Sequence, residues 1–162
     1  MDPKLLLPEF DHEIASTLRM LEALADDHLS HKPHPDAWST RDLATHVATV
    51  PSWTRPTFEQ DEYDVGGSGL ESETLTAAQI VERFNANAAD ARAAIEETSA
   101  ETLAETWTLR SGEQVHFSMP KLTVYRFFVM NHLIHHRGQI GVHLRTCGLR
   151  VPGMYGPSAD EM

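Results

Sequence analysis

The sequence predicts an all-α protein folded as a four-helix bundle. Its apolar residues recur at steps of three or four in four separate stretches, which is the spacing of amphipathic helices. A polar segment lies between the second and third stretches, as in bundles with one long crossover linker. We also expect a small hairpin or extended segment before the last helix, and a C-terminal tail that packs against the bundle.

The first helix is predicted over about residues 8 to 28. Pro8 lies near its first turn, where a missing N–H costs no helical hydrogen bond. Its apolar stripe comprises Phe10, Ile14, Leu18, Leu21 and Ala25. The following residues, HLSHKPHPDAW, contain two prolines and predict a loop.

The second helix is predicted to begin near residue 40 and to end before about residue 60. Ser39 has the position of an N-cap, and Asp42 three residues later favours the positive start of a helix. Pro51 lacks the N–H that would bond the carbonyl four residues earlier, and Pro56 repeats the defect. We therefore expect a kink within this helix.

The third helix is predicted over about residues 77 to 98 and follows the crossover linker at residues 60 to 75. The linker is acidic, rich in glycine and serine, and without periodicity, so we expect it to be flexible. Thr76 and Gln79 have the spacing of a capping box at the start of the helix. Its narrow apolar stripe comprises Ile80, Phe84, Ala88, Ala91 and Ile95.

The last helix is predicted from Pro120, in its first turn, to Gly148, a left-handed cap. It is apolar on nearly every side, which predicts a central position among the other helices. Before it, residues 103 to 117 have Ser111-Gly112 as a turn and predict a small hairpin. After it, the prolines and glycines of the tail exclude a helix, and its apolar residues Leu149, Val151, Met154 and Tyr155 predict packing against the bundle.

Composition limits the possible partners and compartments. The 162 residues favour one domain over residues 1–162, and the net charge of −11 argues against nucleic acid and membrane surfaces as partners. Cys147 is the only cysteine, which excludes an intrachain disulfide and suits a reducing compartment. The short apolar run near the start is interrupted by Pro8 and predicts neither a signal peptide nor a membrane span. We therefore expect a cytoplasmic protein.

Three histidines are candidate metal ligands. His132 and His136 are separated by one helical turn, so their imidazoles can point at one location. His46 lies in the apolar stripe of the second helix and should also point inward. Three imidazoles from two helices suffice to hold Zn²⁺ or Ni²⁺ with positions left for water or substrate. The alternative is that His46 is a core histidine bonded to a carbonyl and that the others belong to an exposed basic turn.

Neighbouring polar residues are candidates for supporting these ligands. Asp42 precedes His46 by one turn and could accept its free N–H, although capping of the helix start is a competing role. Gln139 faces the same side of the last helix as His136, with hydrogen bonding to a neighbouring helix as its alternative. We expect His143 to hydrogen-bond along this polar side, and Arg137 to form an ion pair with an acidic residue or contact the tail.

Three segments, THVATVPSW, NHLIHHRGQIGVHLR and VPGMYGPSADE, resemble the DinB-like (DinB/YfiT) superfamily of four-helix-bundle metalloproteins. The resemblance covers most of the chain and implies a divalent metal bound by His46, His132 and His136. Members are described as metal-dependent hydrolases, or as transferases that act with low-molecular-weight thiols such as bacillithiol or mycothiol. Many are dimers, so the resemblance also implies a homodimer with a small-molecule substrate.

The candidate site favours one activity among three. A metal held by neutral histidines keeps its positive charge and lowers the pKa of a bound water or thiol. The ligands have no paired carboxylates nearby to act as a hydrolytic general base. We therefore expect metal-dependent transfer of a low-molecular-weight thiol to a small electrophile. The alternatives are a metal-dependent hydrolase and a non-catalytic bundle with a structural or sensing metal.

Overall fold

A computed structural model describes residues 2–66 and 73–162, in which four long helices pack side by side. In chain order the helices are α1 (Leu7–Glu22), α2 (Thr40–Thr49), α3 (Thr54–Glu59), α4 (Ala77–Glu97), α5 (Ala100–Ala104), α6 (Lys121–Val124) and α7 (Asn131–Thr146). Short 3-10 turns occupy Pro3–Leu6, Asp26–His28 and Val50–Trp53. The four long helices are α1, α2, α4 and α7, and α4 and α7 each pack against both α1 and α2.

The protein is not all-α, so the predicted fold class is wrong. A three-stranded mixed sheet contains β1 (Glu62–Asp64), β2 (Thr106–Ser111) and β3 (Gln114–Pro120). Strand β2 lies in the middle, parallel to β1 and antiparallel to β3. The predicted hairpin is thus present, but it lies three residues later in the chain than expected and is joined by a third strand.

Strand β1 lies within the segment that was expected to be a flexible linker; residues 67–72 of that segment are outside the described part of the chain. Arg110 of β2 donates hydrogen bonds to the carboxylates of Glu62 and Asp64, which helps to hold β1 beside β2. Both partners are more than 40 residues from Arg110 in sequence. Local periodicity carries no information about such a pairing, which explains the wrong prediction.

The predicted starts of the helices agree with the structure better than their predicted ends. Ser39 caps α2, and Thr76 and Gln79 form the expected capping box of α4. The kink at Pro51 is confirmed, because α2 ends at Thr49 and continues as a 3-10 turn and α3. Helix α1 ends at Glu22, six residues earlier than predicted. After it, the Asp26 carboxylate accepts a hydrogen bond from the backbone N–H of Ala77 at the start of α4.

A π-helical segment, Tyr125–Met130, joins α6 to α7 in the last long helix. Gly148 has a φ of 71° and ends this helix as predicted. The helix is not buried on every side, since Phe127 and Val142 are each 55% exposed. The tail packs against the core through Leu149, Val151 and Met154, as expected, whereas the fourth predicted residue, Tyr155, is 69% exposed.

The core lies between the four long helices. Its fully buried side chains include Leu21, Val47, Ile80, Phe84, Ile95, Leu133 and Ile140. Lys121 is also buried, and its Nζ donates to the Phe58 carbonyl and the Glu105 carboxylate, which joins the sheet end of the molecule to the last helix. No helix within the described ranges is both long and apolar enough to cross a bilayer.

Candidate metal centre

His46, His132 and His136 converge on one location between α2 and α7. One ring nitrogen from each residue lies within 4.8 Å of those of the other two. The Nε2 atoms of His46 and His132 are 3.1 Å apart. All three side chains are partly exposed, so the cluster lies at the edge of the core, where a small molecule can reach it.

The packing of two helices produces this convergence. His46 lies in the last turn of α2, between the buried residues Leu43 and Val47 that fix its register. His132 and His136 are one turn apart on α7, and the buried residue Leu133 fixes that register. Because α2 packs against α7, the inward-pointing imidazoles of both helices meet. The three residues that the sequence selected are thus brought together, and their binding of a metal stays a prediction.

The cluster keeps its histidines neutral at physiological pH. Burial, with a contribution from His132 and His136, lowers the pKa of His46 to about 4. Burial also lowers the pKa of His132 and of His136, and neighbouring histidines add to the effect. Neutral imidazole is the form that ligates a metal, so the environment favours the competent state.

Hydrogen bonds orient two of the three rings. The Nδ1 atom of His132 lies 3.3 Å from the carbonyl oxygen of Phe128, in the π-helical segment, and Nδ1 of His136 lies 2.6 Å from Gln139 Oε1. Carbonyl and amide oxygens only accept hydrogen bonds, so both Nδ1 atoms carry the proton. The Nε2 atom of each ring is therefore the unprotonated nitrogen, and that of His132 faces His46; ligand histidines in many metal sites are likewise held by a second hydrogen bond.

The two predicted supporting residues have different contacts. Gln139 contacts His136 directly, as described, although its effect on a metal is still a prediction. The Asp42 carboxylate accepts a hydrogen bond of 2.6 Å from the Ser39 hydroxyl, whose oxygen accepts from the Asp42 backbone N–H. These bonds confirm that Asp42 takes part in capping α2. Its proposed support of His46 stays a prediction.

Two tryptophans border the cluster, and sequence reasoning did not assign them to the site. The Trp38 ring is nearly parallel to that of His136, with centroids 5.9 Å apart, and it contacts His46 edge-on. The Trp53 ring packs against His46 and His132 at 5.6 and 5.3 Å. Trp53 follows His46 by seven residues, which is two helical turns, so this spacing is the one local signal that could have placed it beside His46. Trp38 lies in a loop without periodicity, and no local signal connects it to the histidines.

Two other polar residues of α7 are buried and have hydrogen-bond partners on other parts of the chain. His143 is buried, and its Nδ1 lies 2.9 Å from the Thr40 hydroxyl. Arg137 is 2% exposed and donates to the Glu13 carboxylate at 2.5 Å and to the Tyr155 hydroxyl at 2.8 Å. Both the predicted ion pair and the predicted contact with the tail are thus present.

Comparisons with known proteins agree with this architecture. The sequence model of the DinB family matches residues 2–162. Protein YrdA of Bacillus subtilis is 28% identical over 165 residues, which cover 96% of this chain and 89% of YrdA. A DinB-like protein from Bacillus cereus ATCC 10987 has a crystal structure with a TM-score of 0.73 and 27% identity, covering 93% of this chain and 95% of that one.

More distant structures share the fold. The DinB-like protein YjoA of Bacillus subtilis has a TM-score of 0.70 at 18% identity, with 98% and 99% of the two chains covered. A mycothiol-dependent maleylpyruvate isomerase has a TM-score of 0.58 at 13% identity, with 92% of this chain and 62% of the isomerase covered.

Proposed function

This chain belongs to the DinB family, and from that premise we propose that it binds one divalent metal ion through His46, His132 and His136. The observation that carries the proposal is the convergence of three ring nitrogens within 4.8 Å. Zinc and nickel suit a site of three imidazoles, since both ions readily bind imidazole nitrogen.

One pair of donor nitrogens has the spacing that such an ion requires, and the third nitrogen lies within 4.8 Å of both. Two nitrogens that each lie about 2.0–2.1 Å from one metal are separated by about 2.9 to 3.4 Å, for angles between the octahedral and tetrahedral values. The 3.1 Å between the Nε2 atoms of His46 and His132 falls in this range. Because the His132 Nε2 presents a lone pair, it needs either a proton on His46 Nε2 or a cation as its partner. A divalent ion would satisfy all three rings at once.

We propose that the protein is an enzyme that transfers a low-molecular-weight thiol to a small electrophile. A bound metal would supply a Lewis acid that lowers the pKa of a thiol or water at this location. The protein's own residues hold three neutral rings in place, and Trp38 and Trp53 pack against those rings. In the reaction the thiol releases its proton to solvent and its sulfur bonds to a carbon of the electrophile. In a substitution, that carbon loses a leaving group. In an addition to a double bond, the neighbouring carbon takes up a proton.

Two observations favour thiol transfer over hydrolysis. Among the residues that the structure describes, the candidate cluster consists of three histidines and contains no carboxylate, whereas a hydrolase usually needs a general base beside the metal. The chain also shares its fold with an isomerase that depends on mycothiol, a low-molecular-weight thiol. Hydrolysis, and a structural or sensing role for the metal, are the alternatives that experiment must separate.

The metal site is tested by single alanine variants at His46, His132 and His136, with His135→Ala as the matched control. His135 is adjacent to His136 but does not belong to the cluster. We expect each ligand variant to lose zinc affinity by at least about 100-fold, because two imidazoles hold the ion much less firmly than three. Zinc should be measured by competition with a chelator. Wild-type affinity in all three variants would refute the site.

The activity is tested on cobalt-substituted protein. Addition of a low-molecular-weight thiol should produce a sulfur-to-metal charge-transfer band, because sulfur is a softer donor than water. Conjugation of a model electrophile should then occur and stop when a chelator is added. If no thiol changes the spectrum and an ester is hydrolysed in a metal-dependent way, the protein is a hydrolase. If neither reaction occurs, the metal has a structural or sensing role.

A further inference from the structure

A cavity of about 400 Å³ opens beside the histidine cluster. His136 belongs to the cluster and also lines the cavity. Gln139 lines the cavity too, and it forms the hydrogen bond that orients the His136 ring. A molecule in this cavity would therefore lie against one of the proposed metal ligands. The volume is within the usual range for small-molecule sites, about 300–1,000 Å³.

Three different parts of the chain form the apolar walls of the cavity. Ala37 and Trp38 come from the loop before α2, Leu43 from α2, and Val142 from α7. Trp38 is 40% exposed, and its flat indole ring is nearly parallel to the His136 ring. A planar apolar surface of this kind suits the face of an aromatic or otherwise flat molecule.

The polar groups of the cavity are neutral. Among the described residues that line it, none is an aspartate, glutamate, lysine or arginine. The polar side chains are those of Gln139, His136 and His143, and burial, with His31 nearby, lowers the pKa of His143. In the metal-free protein a charged ligand would thus lose hydration here without gaining an oppositely charged partner, which is costly. A neutral ligand could still form a hydrogen bond with one of these side chains.

We propose that this cavity binds the electrophilic substrate, and that this substrate is a small neutral molecule with a flat apolar body and one hydrogen-bonding group. The inference rests on the proposed function for the role of the ligand, but the chemistry of the cavity stands without a metal.

The test uses three unreactive probes of similar shape and different charge: benzyl alcohol, benzoate and benzylammonium. Binding is followed by NMR through the Trp38 indole N–H and the Leu43 methyl groups, in chelator-treated protein and in zinc-loaded protein. We expect benzyl alcohol to shift both signals in both forms. In the chelator-treated protein the two ions should bind at least about 10-fold more weakly, because their charges would be left unpaired.

Two variants block the cavity from different elements, and one serves as a control. Val142→Trp and Ala37→Trp should each weaken benzyl alcohol binding by at least about 10-fold, because the indole fills the space. Val115→Trp is the matched control, since Val115 is 57% exposed and Val142 is 55% exposed, and Val115 does not line the cavity. Thermal melts of all three variants establish that they are folded.

Each outcome decides one of the two proposals. Failure of benzyl alcohol to bind, equal binding of benzoate to the chelator-treated protein, or unchanged binding in both blocked variants would overturn this inference. Loss of benzyl alcohol affinity in Val142→Trp and Ala37→Trp, with wild-type affinity in Val115→Trp, would support it. If zinc does not bind while benzyl alcohol does, the proposed metal function fails and the neutral cavity stands. If zinc binds and benzyl alcohol does not, the reverse holds.

Discussion

His46 couples the stability of the metal-free protein to pH. Burial, together with His132 and His136, lowers its pKa to about 4, against about 6.5 in an unfolded chain. Between these values the unfolded state binds more protons than the folded state, so stability falls as pH decreases. The contribution of the neutral ring is fully present above about pH 6.5 and is lost as the pH approaches 4.

We therefore expect chelator-treated wild-type protein to lose about 1 kcal/mol more stability than His46→Gln between pH 7.5 and pH 5, after a discount for the partial exposure of the ring. Urea unfolding at the two pH values measures this difference. The control is His116→Gln on β3, whose ring contacts the Ser111 hydroxyl and not the cluster; this variant should lose as much stability as the wild type over the same pH change. An identical pH dependence in wild-type protein and His46→Gln would contradict the coupling.

Two glycines, one inside α7 and one just after its end, should respond in opposite ways to replacement by alanine. Gly148 has a φ of 71°, where a Cβ is strained, so Gly148→Ala should cost about 1 kcal/mol. Gly138 lies inside α7, and a Cβ there would meet nothing within 4 Å beyond the helix's own backbone. Gly138→Ala should stabilise the protein by about 0.5–1 kcal/mol, because alanine loses less conformational freedom on folding. Chemical unfolding of both variants measures the two effects. Stabilisation by Gly148→Ala would contradict the strain at that position, and destabilisation by Gly138→Ala would contradict the gain expected inside the helix.

At the scale of the whole molecule, a buried network joins α1, α7 and the tail. Arg137 donates to the Glu13 carboxylate and to the Tyr155 hydroxyl, and that hydroxyl donates to the other oxygen of Glu13. Glu13 and Arg137 are 5% and 2% exposed, so the pair is almost fully removed from water. Its members are more than 120 residues apart in the chain.

Breaking one side of this pair should cost more than removing both. Arg137→Met should destabilise the protein by about 3–5 kcal/mol, because it leaves the Glu13 charge buried without a partner. The double variant Glu13→Leu/Arg137→Met should recover most of that loss, since no unpaired charge remains. Denaturant unfolding of the two single variants and the double variant gives the coupling energy. A double variant as unstable as the sum of the singles would show that the two residues act independently.

The sequence by itself determined the features that depend on neighbours along the chain. Capping residues such as Ser39 and Thr76 marked helix starts, and Pro51 marked the break after α2, because these effects act within one or two turns. The same reasoning placed His132 and His136 on one face, since four residues are about one turn. It also put Gln139 beside His136, where the hydrogen bond is found.

Only the tertiary structure decided the features that depend on distant partners. Strand β1 forms beside β2, more than 40 residues away, so a segment without periodicity became part of a sheet and the all-α prediction failed. Trp38 comes from a loop, and it reaches His136 across nearly 100 residues of chain because α2 packs against α7. The cavity beside the histidines likewise needs that loop and two helices to meet. Hydrophobic periodicity specifies which face of an element is buried, whereas the identity of the groups that face each other is set by packing.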